Sequence, residues 1–288
     1  MDMDPLVSVL MTAYNRENYI SEAIESVLSS TYKNFELIIV DDCSNDKTVS
    51  IAKAFERIDS RVKLYINEKN LGQFPNRNKA ASYAKGKYIK YLDSDDKILD
   101  YGLAYCVEQM EKYPEAGLGM YDLYERKESL STCWSSEEII REHFFVRQQL
   151  SIGPSGTIIR RDIFEETGKF DTRFGVPSDM FFNIRLASFY PIVLLPLPCV
   201  YYRRHDGQEI NNRMDYLKFG YLYFKELLTK VKLPLKKNEI KYLYQKMNKR
   251  HSVNLSKYLL KTRNLSVTLK VMKETDFSAL DYLVSFFH

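Results

Sequence analysis

Three carboxylates fall within four positions in Asp93-Ser94-Asp95-Asp96, directly after the run Lys87-Tyr88-Ile89-Lys90-Tyr91-Leu92. That run reads as a buried strand whose carboxyl end opens on a crevice, where open α/β sheets bind ligands. Residues two apart on an extended chain point the same way, so Asp93 and Asp95 share a side. Carboxylates crowded there repel one another unless a cation lies between them. Hard oxygen ligands suit Mg²⁺ or Mn²⁺, and Mg²⁺ commonly takes one or two carboxylates together with substrate phosphates. The chemistry on offer is metal-assisted handling of a diphosphate. A solvated acidic turn is the competing reading.

Further reactive residues lie elsewhere. Asp41 and Asp42 end a second apolar run, Glu36 to Asp42. Asp179 follows Pro177-Ser178 at the head of an expected helix holding Phe181, Phe182, Ile184, Leu186 and Ala187. Ser178 reads as its N-cap, which puts Asp179 in the first turn, where the helix dipole favours the ionised carboxylate. From local pattern Asp179 could simply stabilise the helix end. Arg203-Arg204-His205 offers a cluster that could face a phosphate.

Alternating strands and helices must position these groups. Leu6 to Thr12 is a short apolar strand suited to burial on both faces. Asn15 or Asn18 can cap the helix after it, in which Ile20, Ala23, Ile24, Val27 and Leu28 recur at helical spacing. Ser44 or Asn45 starts the next helix, and Val62 to Ile66 alternates as a third strand. A helix containing Asn78, Ala80, Ala81 and Ala84 precedes the acidic strand. This order predicts a mainly parallel sheet with right-handed crossovers. Beyond it, Tyr101 to Tyr113 reads as a helix and Gly117 to Tyr124 as a strand. Glu125 to Leu150 reads as a polar, irregular excursion, and Ile192 to Tyr202 as a proline-broken edge strand. After Asn212 the pattern is helical, rich in Tyr, Leu and Lys.

The first glycine is Gly72, so the turn after the first strand carries neither GxGxxG nor GxxxxGK[ST]. A dinucleotide-binding turn and a P-loop both need glycine there for the backbone to approach phosphates. Phosphates would be held by a metal and side chains instead. The chain has 288 residues, 45% of them hydrophobic, enough for one large α/β domain with an extension. Its four cysteines are far apart and suggest neither a zinc site nor a disulfide framework. No signal peptide and no membrane-spanning run are expected. The net charge of +4 hides an asymmetry. From Asp215 onward 15 Lys and Arg face 6 Asp and Glu, a net of +9, which leaves −5 for the first 214 residues. Basic helices with interleaved aromatics suit either a solvated appendage or docking on an anionic membrane surface.

Four stretches, in order and spacing, resemble the family 2 glycosyltransferases with the GT-A fold: Val7 to Asn15, Ser30 to Asp46, Asn70-Leu-Gly72 with Arg77-Asn78, and Leu92 to Asp96. The resemblance covers roughly residues 5 to 210. It implies a mixed, mainly parallel sheet flanked by helices over 1–212, with a donor half to about residue 100 and an acceptor half beyond. Residues 213–288 would form a basic helical C-terminal extension. It implies that Thr12, Ala13 and Tyr14 line a nucleoside pocket, and that Asp42, with Asp41 beside it, accepts a hydrogen bond from the base, most often uracil. Arg77 would approach the nucleotide, and Asp93 with Ser94 would face the ribose or sugar. Asp95 would hold Mn²⁺ or Mg²⁺ on the diphosphate, helped by His205. Asp179 matches the catalytic base, with Ser178 where glutamate is usual. Cys43 stands where glycine is common and Asn76 where alanine is.

The implied reaction is an inverting, metal-dependent transfer from a nucleotide-sugar, UDP-linked by expectation, to a glycan or lipid-linked acceptor in cell-surface polysaccharide synthesis. A carboxylate takes the acceptor's proton, and the cation neutralises the leaving diphosphate. The expected location is cytoplasmic, peripheral at the inner face of the membrane through 213–288, with no nucleic-acid partner. The alternative is a non-catalytic sugar-nucleotide or glycan-binding protein that keeps the fold.

Overall fold

A computed structural model describes residues 4–124, 130–204 and 213–285. The elements that position the acidic stretch come first in the chain. They are β1 (Val7–Ala13), α1 (Ile20–Leu28), β2 (Phe35–Asp41), α2 (Thr48–Ile58), β3 (Val62–Ile66), α3 (Gln73–Ser82) and β4 (Tyr88–Tyr91). Then follow β5 (Lys97–Ile98), α4 (Gly102–Lys112), β6 (Leu118–Tyr121), β7 (Thr132–Trp134), α5 (Ser136–Arg141), β8 (Thr157–Arg160), α6 (Arg161–Glu166), α7 (Ser178–Ala187), β9 (Ile192–Leu195) and β10 (Val200–Tyr201). The C-terminal helices are α8 (Arg213–Lys230), α9 (Lys237–Thr262), α10 (Leu265–Glu274) and α11 (Ala279–Val284).

The main sheet has the order β3-β2-β1-β4-β8-β6-β9-β7. β1 pairs in parallel with both β2 and β4, and β2 with β3. β8 runs antiparallel between β4 and β6, while β9 lies parallel to β6. Side chains alternate across the strands, as the pleat requires. Val9, Met11, Leu37 and Ile39 join the cluster under α1 and α4, whereas Leu10, Ile38, Val40 and Ile89 join the opposite one. Helices cover both faces, which is why these strands read as continuous apolar runs. The chain moves to opposite sides of β1 when it builds β2 and β4. The crevice at their carboxyl ends is therefore the switch point where such sheets bind ligands.

Four expectations need correction. Asn15 caps no helix: its Oδ1 accepts from Asn45 N at 3.0 Å, so it ties two loops together, and α1 begins without a side-chain cap. The second helix starts later than Ser44 or Asn45, at Thr48, because Ser44 bonds Asp41 and Asp46 Oδ1 accepts from Thr48 N. Residues after 130 in the supposed excursion are ordered into β7, α5 and a π-helical turn, Glu142–Val146. A capping box between Ser135 and Glu138 starts α5, whose Ile139 and Ile140 are fully buried. Finally, β9 is interior, between β6 and β7, and β7 forms the edge. The prolines flank Ile192–Leu195 rather than interrupting it, so every ladder bond can form.

Candidate active site

One cavity of about 730 Å³ opens at the carboxyl ends of β1 and β4. Thr12, Ala13, Tyr14, Asp42, Arg77, Asp93, Ser94, Asp95 and Asp179 all line it. Asp41 does not: it is buried below, its Oδ1 and Oδ2 accepting from Ser44 N at 2.8 Å and Ser44 Oγ at 2.5 Å. Burial raises its pKa, and the Ser44 bonds pull the other way. Asp41 shapes the turn after β2. His205 lies outside the described residues.

Asp42 organises the wall above β2. Its Oδ1 accepts from Asn67 Nδ2 at 2.7 Å and Leu71 N at 2.8 Å, and its Oδ2 from Gly72 N at 2.9 Å. Gly72 sits at φ +87°, a conformation that glycine adopts without the clash of a Cβ. Cys43 follows at φ +66°, which gives a physical reason for glycine being common at that position. Asn76 donates to Val40 O and accepts from Asn67, so it completes the same buried network.

The acidic turn is stapled to its neighbours. Ser94 Oγ donates to Thr12 O at 2.9 Å, joining the ends of β4 and β1. Asp93 N donates to Ser155 Oγ at 2.9 Å. Oxygens of Asp93, Asp95 and Asp96 lie within 4.8 Å of one another. Positive groups answer them. Arg77 Nη2 donates to Asp93 Oδ1 at 2.6 Å, and Arg16 Nε donates to Asp95 Oδ2 at 3.2 Å. Asp96 Oδ1 accepts from the backbone N of Arg203, while its Oδ2 is buried with no partner among the described residues. Burial first, then the charge of Asp93, pushes the Asp96 carboxyl up to about 7. Converging hard oxygens, one of them unpartnered, fit a divalent cation such as Mg²⁺ or Mn²⁺. Arg203 itself turns outward to Glu22, at 3.0 Å, and over the Tyr19 ring, so it does not line the cavity.

Asp179 enters from the opposite wall, in the first turn of α7. Ser178 is not the cap: it is the first helical residue, and its Oγ donates to Asp171 O and Gly175 O. The expected preference for an ionised Asp179 is reversed as well. Its Oδ1 accepts from Met180 N at 2.7 Å, and Arg77 attracts it, yet burial outweighs both and pushes its pKa to about 7. The residue is half-buried, with its carboxylate on the cavity wall.

Several contributors escaped the sequence reading. Lys90 is 1% exposed within β4, and its ammonium donates to Ser155 O, holding the loop 151–156 against the strand. Burial lowers its pKa. Ser155 takes both this bond and that of Asp93 N. Arg16 stands two residues beyond Tyr14, and nothing local marks its pairing 79 positions away. Cys106 and Cys199 also border the cavity as free thiols, Sγ to Sγ 3.3 Å.

Comparisons with known proteins agree on the class. The UDP-Glc:α-D-GlcNAc-diphosphoundecaprenol β-1,3-glucosyltransferase WfgD of Escherichia coli is 50% identical over 93 residues. That stretch is 32% of this chain and 36% of WfgD. S. aureus TarS 1-349 in complex with UDP superposes with a TM-score of 0.71 at 19% identity, covering 97% of this chain and 80% of that one. The mannosyltransferase PcManGT of Pyrobaculum calidifontis, in complex with GDP-Man and Mn²⁺, gives 0.64 at 15% identity, covering 99% and 86%. These likenesses establish the GT-A fold with a helical C-terminal region. The family model for glycosyl transferase family 2 matches residues 8–168, more than half of the chain. The chain belongs to glycosyl transferase family 2.

Proposed function

We propose that this glycosyltransferase moves a sugar from a UDP-sugar to a glycan or lipid-linked acceptor by a metal-dependent, inverting displacement in cell-surface polysaccharide synthesis. The observation that carries the reading is the pairing, across one cavity, of a carboxylate cluster fit for a cation with a half-buried carboxyl, Asp179, whose pKa burial raises. The UDP-linked donor and the lipid-linked acceptor are also those of WfgD.

Each residue then has a defined task. Thr12, Ala13, Tyr14 and Asp42 form the nucleoside wall, with Asp42 fixing the loop that closes it. Arg77 fixes Asp93, and Ser94 locks the turn to β1, so the acidic residues meet the donor pre-organised. A cation held by Asp95, with Asp93 or Asp96 beside it, would neutralise charge building on the leaving diphosphate. Asp179 takes the acceptor hydroxyl's proton, and a pKa near the working pH suits that exchange. Attack from the face opposite the leaving group converts an α-linked donor into a β-linked product.

The donor and acceptor halves divide near residue 100, and the helical extension begins after 212. Among the described residues no helix is long and apolar enough to cross a membrane. Contact with a bilayer would instead be peripheral. In α10, Leu265 and Leu269 are exposed one turn apart, and in α11 Leu280 and Leu283 are exposed likewise. Lys270 and Lys273 accompany them, a combination suited to an anionic lipid surface.

Calorimetric titration of UDP with and without Mn²⁺ tests the donor site. Binding should strengthen with Mn²⁺ in the wild type and lose that dependence in Asp95→Asn. Equal UDP affinity in all four titrations would defeat the metal–diphosphate reading.

A further inference from the structure

Among the described residues, two arginines answer the acidic turn, and they are held very differently. Arg77 is 2% exposed, lies near the rings of Phe74 and Tyr91, and meets Asp93 at 2.6 Å. It is a fixed part of the core. Arg16 has its backbone clamped and its head loose. Its backbone N donates to Thr48 Oγ1 at 2.7 Å, directly after Asn15 turns the chain at φ +53°. Its guanidinium, by contrast, is about a quarter exposed at the cavity wall. There Nε meets Asp95 Oδ2 at 3.2 Å, and Nη1 meets the carbonyls of Tyr14 and Asn15 at 3.1 and 3.2 Å. Those are long for charge-assisted bonds.

We propose that Arg16 is an internal counter-cation that hands Asp95 to the divalent ion and passes its own charge to the donor's diphosphate. The inference rests on the metal–donor reading above. While Arg16 sits against Asp95 Oδ2 its positive charge repels a cation at that carboxylate, so the guanidinium gives way as the ion arrives. Once released it remains tethered at the same wall by the Thr48 and Asn15 contacts. A planar fork of donors then faces a ligand rich in paired oxygens, the geometry guanidinium matches best. Arg16 therefore opposes the ion when the nucleotide is absent and favours it when the diphosphate can receive the displaced charge. Ion and nucleotide become thermodynamically coupled through this side chain, and each must tighten the other by the same factor.

Mn²⁺ binding, followed by electron paramagnetic resonance of the free ion with and without UDP, tests this on the full chain. Without UDP, Arg16→Gln should bind Mn²⁺ up to about fivefold more tightly than the wild type, the scale of one partly exposed charge pair removed. With UDP, the wild type should gain more affinity for Mn²⁺ than Arg16→Gln does, by about the same factor. Arg16→Lys keeps the charge without the fork. It should bind Mn²⁺ alone like the wild type yet show weakened coupling, which separates the proposal from a misfolded variant. Equal Mn²⁺ affinity of wild type and Arg16→Gln without UDP, or undiminished coupling in Arg16→Gln, would overturn the role of Arg16 alone. Absence of Mn²⁺ binding to the wild type even with UDP would instead overturn the metal–donor reading, and this inference with it.

Discussion

Replacing Asp179 with Asn should separate catalysis from stability, with opposite signs. The side chain keeps its shape, and Asn Oδ1 can still accept from Met180 N. What changes is the charge. In the folded protein the carboxyl holds its proton to about pH 7, against an ordinary value of 3.8. Between those values the folded state binds a proton that the unfolded chain has lost, so the group's contribution to stability falls as pH rises. A difference of about three units corresponds to ~4 kcal/mol at full burial. The carboxylate borders a cavity that water can enter, so about half of that, ~2 kcal/mol, is the expected cost of the ionised form. Urea unfolding below pH 4 should find the two proteins similar, and at pH 8 the variant more stable by ~2 kcal/mol. UDP release from a donor with acceptor present should fall by about a hundredfold or more, while UDP affinity stays unchanged. A variant that transfers sugar at the wild-type rate refutes the assignment of the base. A stability difference that does not grow between pH 4 and pH 8 refutes the burial argument independently.

Three further outcomes are expected. Asp93→Ala should destabilise the fold by ~3 kcal/mol because it strands the buried Arg77 guanidinium, whereas Arg77→Met should cost less, since Asp93 is 28% exposed and can be hydrated; the reverse order in urea unfolding would refute this. His251 is buried beside Tyr221 and Phe277, and burial lowers its pKa from 6.5 to about 4. Between those values the unfolded chain takes the proton and the folded one does not, so stability falls as pH drops through that range, and His251→Phe should lose ~2 kcal/mol less between pH 7 and pH 4. Leu280→Asp with Leu283→Asp should abolish co-sedimentation with phosphatidylglycerol vesicles while leaving UDP binding intact; unchanged sedimentation would remove the bilayer contact proposed for the C-terminal helices.

Legibility followed the range of the interactions. Val62–Ile66 was readable to the residue because alternation is a local property, and the acidic turn was readable because its three carboxylates fall within four positions. The groups that neutralise it were not: Arg77 lies 16 positions from Asp93, and Arg16 lies 79 from Asp95. Lys90 resembles any solvent-facing lysine until the sheet is seen to be covered on both faces. Two errors had local remedies. Ser135-x-x-Glu138 before two isoleucines is a helix start, and the unbroken Ile192–Leu195 indicates an interior strand despite its flanking prolines. The ionisation of Asp179 was different in kind. Its place in the first turn was correct, but the dipole is worth about 1 kcal/mol or less at such a site, and burial exceeds it.

The C-terminal helices bear on chemistry as well as on location. The loop that delivers α7 is held from their side: Arg173 bonds Asp171 and reaches Glu226 of α8 at 2.8 Å. Gly175 turns the chain at φ +58° against the ring of Phe219, and an added Cβ would meet that ring at 3.4 Å. Ser178, where the family usually has glutamate, spends its hydroxyl on Asp171 O and Gly175 O. Phe174 packs on Phe181 of α7 at 4.6 Å between ring centres, carrying that constraint into the helix. Farther out, Arg141 of α5 meets Glu239 of α9 at 2.8 Å. Leu227, Leu243, Met247 and Leu255 belong to the same buried cluster as Phe181 and Phe182. The carboxyl of Asp179 is thus positioned through α8 as much as through the sheet. An ångström of movement at a proton-transfer site can cost about a hundredfold in rate. Perturbing the contact of α8 with the 171–175 loop, as in Glu226→Ala, would therefore lower turnover while sparing UDP affinity, whose proposed determinants lie on α3 and at the carboxyl ends of β1, β2 and β4.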